Sequence, residues 1–235
     1  MENGLTQKGA PKKTNPEYLY KFRSLDELEF VLDIVLYERL YCSLYTNLND
    51  PFEGMFVSIV NSFRSMRPGP PRPPHAIPVK EKKYKSIDDL PIDLSNTRIC
   101  SLSSDCNDVR LWAHYADSQR GVAIQIKCPD SDSKLHQVLY SETFPEFEHK
   151  NSNSLNISDI LIRKTKHWQY ESEYRIINHE EFYSIKDKIS AIFLGPRIED
   201  KRKELILKVI SGNIPVYNTR INKENIRIEK DQRIN

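Results

Sequence analysis

A chain of 235 residues, 38% hydrophobic and 29% charged, can bury a sizeable core beneath a heavily charged surface. Its formal net charge of +2 excludes a nucleic-acid clamp that relies on bulk charge. No apolar run reaches membrane-spanning length, and the polar start lacks the apolar stretch of a signal peptide.

Residues 1–16 read as a disordered lead-in, followed by one domain over residues 17–235. Tyr18 to Phe22 predicts a short aromatic strand, and Ser24-Leu25-Asp26-Glu27 reads as a capping box that opens a helix. Leu25, Leu28, Val31, Leu32 and Val35 supply that helix with a buried stripe. A second strand, Leu40 to Tyr45, ends at Asn47-Leu48-Asn49-Asp50-Pro51, which is strong turn chemistry. Phe52 to Phe63 is apolar and fits either helix or strand. Six of the fourteen prolines lie between Arg67 and Pro78, so neither a helix nor a central strand forms there. With the lysine-rich stretch Lys80 to Asn96, this predicts a surface insertion at about 64–96.

Strands are predicted over Thr97–Leu102, Val122–Lys127, Val138–Tyr140 and Ile189–Leu194. Helices are predicted over Val109–Ala116, Ile157–His167 and Glu199–Ile210, the last closed at Ser211-Gly212, with two short strands after it. Helices and strands mix without regular alternation, which predicts an α+β fold of mixed or antiparallel sheets with packed helices. Cys42, Cys100 and Cys128 sit in apolar or alternating runs and read as small buried hydrophobes, while Cys106 lies in a polar loop. None forms a C-x-x-C pair, so no zinc or thioredoxin-type site is signalled, and the thiols of a cytoplasmic protein stay reduced.

Three blocks carry chemistry. In Trp168 to Arg175, the two-residue period of a strand places Glu171, Glu173 and Arg175 on one face. Paired carboxylates raise one another's pKa while an arginine opposes them, a tension used by acid–base and cation-stabilising sites. A structural ion-pair network is the plainer reading of the same residues. In the second block, Asn49, Asp50 and Glu53 flank Pro51. They read either as a rigid turn or as polar groups at a cleft mouth. The third block is Leu111 to Ala116, where a helix places Leu111, His114 and Tyr115 on one face and leaves Trp112 for the core. His114 reads as a satisfied histidine or as a hydrogen-bonding group of the site, and Gly121 as a tight turn into the next strand.

In this order the blocks resemble domain-of-unknown-function family 2971, a set of mostly bacterial proteins. The resemblance rests on Leu19 to Arg23, Asn49 to Glu53, Trp112 to Asp117 with Gly121, and Trp168 to Arg175. The family name implies no reaction.

A second resemblance, to the ADP-ribosyltransferase fold, implies one. That fold carries a basic residue on its first strand, a serine or tyrosine position in the middle and a glutamate on a late strand. Arg23, then Ser101 or Ser103, then Glu171-Ser172-Glu173 stand here in that order. The implied cosubstrate is NAD, contacted by Tyr20, Arg23, Ser101, Ser103, His114 and Tyr115. The implied catalytic pair is Glu173 at the ribose and Glu171 at the acceptor, a protein or a nucleic acid. Asn49, Asp50, Glu53 and Arg175 are further cleft candidates. Two other classes stay open: a non-catalytic module that binds a nucleotide or a partner, and a metal-dependent nuclease. The nuclease would gather Asp50, Glu53, Glu171, Glu173 and His114, although no D-x-D, H-x-H or H-E-x-x-H spacing supports it.

Overall fold

Strand alternation and short apolar runs organise most of the chain. The computed structural model describes residues 15–62, 79–129, 132–148, 156–210 and 214–235. In the first half the elements are β1 (Tyr18–Arg23), α1 (Leu28–Tyr37), β2 (Arg39–Tyr41), β3 (Ser43–Leu44), β4 (Met55–Ser62), β5 (Val79–Ser86), β6 (Arg98–Ser103), α2 (Val109–Tyr115) and β7 (Val122–Lys127). The second half contributes β8 (Leu135–Gln137), β9 (Leu139–Ser141), β10 (Glu146–Glu148), α3 (Ile157–Leu161), β11 (Arg163–Thr165), β12 (Glu173–Asn178), β13 (Phe182–Ser184), β14 (Ile189–Leu194), α4 (Asp200–Val209), β15 (Val216–Asn222) and β16 (Arg227–Arg233).

Among the described residues a nine-stranded sheet runs in the order β16-β15-β14-β7-β1-β6-β12-β8, with β3 added to β6. Only its β14–β15 ladder is parallel, so the fold is α+β with a mixed, mainly antiparallel sheet, as predicted. One core cluster joins Leu19, Ile124, Ile176 and Ile192 of the sheet to Val31, Ile34 and Val35 of α1. A second joins Phe22, Ala123 and Phe193 to Leu111 and Trp112 of α2. Trp112 is fully buried, meets Phe22 edge-on at 5.3 Å, and donates its indole N–H to the Cys106 carbonyl at 2.7 Å. The polar tip of the ring is thereby satisfied.

The sheet has a break that matters for the site. β1 pairs with β7 along its whole length, from Tyr18 opposite Lys127 to Arg23 opposite Val122. It pairs with β6 at one position, Tyr20 opposite Ser103. Because β12 occupies the other edge of β6, β3 takes this edge too, at Ile99 and Arg98. Cys100, Ser101 and Leu102 of β6 therefore face a gap between β1 and β3.

Several expectations are corrected. The Ser24–Glu27 box does not cap α1: Ser24 Oγ accepts from the Asp26 N–H at 3.0 Å in a preceding turn, and the helix starts at Leu28. The strand expected over Leu40–Tyr45 is split into β2 and β3, and Tyr45 opens a 3-10 turn. Within the stretch Lys80 to Asn96 the chain is ordered as well as exposed: β5 is an edge strand paired with β4 over eight positions, and Ile87 and Leu94 after it are buried. The helix expected to reach His167 stops at Leu161. Its continuation, β11, pairs in parallel with β9 and satisfies the backbone as a strand instead. The two closing strands are seven residues each rather than short. Residues 1–14, Arg67–Pro78 and Ser211-Gly212 lie outside the described residues.

Candidate functional site

Where β1 and β6 part, a cleft of about 470 Å³ opens, and two loops fix its shape. After α2 the chain holds Asp117, Ser118 and Gln119 in succession at positive φ. Such left-handed geometry is costly for non-glycine residues. Gly121 follows, and a Cβ there would stand 2.1 Å from the Arg23 carbonyl oxygen. Glycine lets this loop press directly against the end of β1. The second loop is the 3-10 turn Lys166–Glu171, which ends at Ser172 with φ 45° before β12 begins at Glu173. Glu171 therefore precedes the strand rather than sharing its period with Glu173 and Arg175, which corrects the expected alternation. Ser103 secures the turn, donating from its hydroxyl to the Glu171 carbonyl at 2.6 Å.

At the β12 end of the cleft every charged group has a partner. Arg175 is fully buried and holds Glu53 through a bidentate fork at 2.6 and 2.9 Å. It also donates from Nε to Glu173 at 2.9 Å and from Nη1 to the Leu161 carbonyl. Lys164 of β11, almost wholly buried, spans Glu171 at 2.6 Å and Glu173 at 3.0 Å. Tyr115 of α2 completes the group with its hydroxyl 2.5 Å from Glu171 Oε1. The Tyr140 hydroxyl accepts from the Glu173 N–H at 2.8 Å. Three carboxylates against two cations leave the cluster one formal negative charge.

These contacts set the ionisation states. Burial alone would push Glu173 up, but Arg175 and Lys164 overcome it and hold the carboxyl at about 2. Burial pulls Lys164 and Arg175 down, and the neighbouring glutamates more than restore them. Burial pushes Glu53 up against the pull of Arg175; the two short bonds fit the ionised pair. Burial, then the bond to Glu171, raises the Tyr115 hydroxyl, which stays protonated and acts as a donor.

The β1 end is different. Lys21 reaches across the gap to donate to the Ser101 carbonyl at 2.8 Å. Arg23 Nε has no hydrogen-bond partner, and among the described residues it is the one buried side-chain polar atom so left. Burial pushes both side chains' pKa values down. Unpaired buried donors are costly and uncommon, so this one sets the Arg23 side chain apart from the paired groups across the cleft.

Tyr20, Arg23, Asn49, Ser101, Ser103, His114, Tyr115, Glu171 and Glu173 all line this cleft. Asp50, Glu53 and Arg175 do not. Asp50 folds back to accept from the Phe52 N–H at 2.9 Å, the rigid-turn reading, while Glu53 and Arg175 pair behind the wall. Within the lining, Ser103 is committed to the turn, Tyr20 Oη accepts from Gln125 at 3.0 Å, and His114 stands exposed on the rim. Sequence reasoning missed Lys21 and Lys164. Lys21 shares a β1 face with Leu19 and Arg23, a legible pairing of cations, whereas Lys164 falls within the expected helix Ile157–His167 and lies in β11 instead. Among the described residues no group of three or more His, Cys, Asp or Glu side chains is placed to hold a metal ion. Nor is any helix there long and apolar enough to cross a membrane.

Fold and site together define a mixed α+β protein with a polar cleft at a sheet break. The family model described as "Protein of unknown function (DUF2971)" matches residues 111–176, from α2 to β12, so the family resemblance holds over the segment that carries His114, Tyr115, Lys164, Glu171 and Glu173. No curated protein and no solved structure matches the chain.

Proposed function

We propose that the cleft binds NAD and transfers its ADP-ribose to a macromolecular acceptor, in the manner of an ADP-ribosyltransferase. The observation that carries this reading is the adjacency of β1, β6 and β12, which brings Arg23, Ser101 and Glu171–Glu173 around one cleft in the implied order. The volume of about 470 Å³ suits a small-molecule substrate. Arg23 lines the cleft and supplies a planar guanidinium whose fork suits phosphate oxygens. The carboxylate end carries the net negative charge that favours a developing oxocarbenium ion.

In the step, the bond between nicotinamide and the ribose anomeric carbon breaks, and its electron pair neutralises the pyridinium nitrogen. The acceptor atom bonds to that carbon, and its proton passes to the Glu171 carboxylate. Glu173, held ionised by Arg175 and Lys164, contributes a fixed charge rather than a proton site. Tyr115 and Lys164 orient Glu171.

One observation favours a second reading, the non-catalytic nucleotide-binding module: every carboxylate of the cluster already has a cation or donor within the protein. The nuclease reading is the weakest, since Arg175 and Lys164 occupy the positions a metal would need among Glu53, Glu171 and Glu173. Incubation with labelled NAD separates the first two. Nicotinamide release lost in Glu171→Gln supports the transferase; an NAD-induced rise in Tm without release supports the module.

A further inference from the structure

A second cavity, of about 410 Å³, adjoins the cleft and shares Asn49, His114 and Tyr115 with it. Its wall is a run of rings from the 3-10 turn and α2. Trp168 and Tyr170 lie 6.3 Å apart at 33°, and Tyr170 and His114 6.2 Å apart at 39°. Arg110 sits over the Tyr170 ring at 4.3 Å while paired with Asp108, and Lys164 lies 4.9 Å from the Trp168 ring centre. Trp168 and Tyr170 stay partly exposed and His114 is exposed, so the run is not core. Tilted, half-open rings with cations on their faces suit a flat, electron-rich ligand.

We infer that this cavity is the acceptor subsite of the proposed transferase and takes a nucleobase of a single-stranded nucleic acid. The inference rests on the NAD reading for the transfer step and on the ring run for the base. A ring nitrogen or exocyclic atom of the base attacks the ribose carbon in the adjoining cleft. Nicotinamide leaves with the electron pair of its bond, and any proton on the attacking atom passes to Glu171. A base must leave its stack to lie against these rings, so the substrate of this proposal is a single strand. The net charge of +2 agrees with holding one or two bases by stacking rather than tracking a long backbone by charge.

The test titrates labelled single-stranded DNA and RNA oligonucleotides into wild type, Tyr170→Leu and Trp168→Leu, with thermal melts to check folding. Wild type binds, and each variant loses affinity at least tenfold, the scale of one stacked base, while the NAD-induced rise in Tm is unchanged. Binding also quenches tryptophan fluorescence through Trp168, because Trp112, the other of the two tryptophans, is fully buried. With labelled NAD, the label appears on the oligonucleotide. Three results overturn the inference: oligonucleotide affinity unchanged in both variants, loss of the NAD-induced shift in Tyr170→Leu, or label found on proteins instead. Stacking-dependent oligonucleotide binding without any NAD response keeps the base site and overturns the NAD reading alone.

Discussion

The two ends of the cleft solve opposite problems. At the β12 end, Glu53, Arg175, Glu173, Lys164 and Glu171 satisfy one another, and the cluster is held by elements as distant in sequence as β4's approach and β12. At the β1 end, among the described residues, Arg23 keeps a buried donor without a partner on a strand whose edge toward β6 pairs only at Tyr20. Paired charges build architecture; Arg23, without an ion-pair partner among the described residues, is the group proposed to take a phosphate. The difference predicts that damage at one end is read in stability and damage at the other in binding.

Arg175→Met sharpens this most. It leaves Glu53 and Glu173 buried without their main cation, and such losses cost about 3–5 kcal/mol; chemical denaturation should show it. Acid comes next. A depressed carboxyl contributes stability that is present above its ordinary pKa of 4.5 and lost as pH falls through about 2. For Glu173 this is on the order of 3 kcal/mol, partly offset by Glu53, whose raised pKa works in the opposite sense. Unfolding titrated over pH 4.5 to 2 should steepen in wild type and flatten in Glu173→Gln. Gly121→Ala forces its Cβ against the Arg23 carbonyl and should cost about 2 kcal/mol, with NAD binding weakened as β1 shifts. Arg23→Ala should destabilise less than Arg175→Met, because it strands no buried carboxylate, yet abolish the NAD-induced rise in Tm. A large destabilisation by Arg23→Ala would erase the contrast between the two ends.

Much of the fold was legible because periodicity reports burial directly. The bounds of β7 and β14 agree with the strands read from alternation and from the run Ile189 to Leu194. Trp112 as core and Asp50 as a turn were equally readable, being local chemistry. The site was less so. Glu171-Ser172-Glu173 looks like a strand by its alternation, yet Ser172 adopts a left-handed conformation that a period cannot reveal. Beyond Glu173, the partners of Arg175 are Glu53 and the Leu161 carbonyl, and no local pattern selects such long-range partners. Lys164 was hidden because its stretch reads as the end of a helix, where the structure has the strand β11.

The most direct test of the central claim is nicotinamide release from labelled NAD by wild type, Glu171→Gln and Arg23→Ala, alongside NAD-induced shifts in Tm. The cleft as described predicts release and a shift for wild type, a shift without release for Glu171→Gln, and neither at moderate NAD for Arg23→Ala. Neither release nor a shift from wild type, with or without single-stranded acceptor, would contradict it.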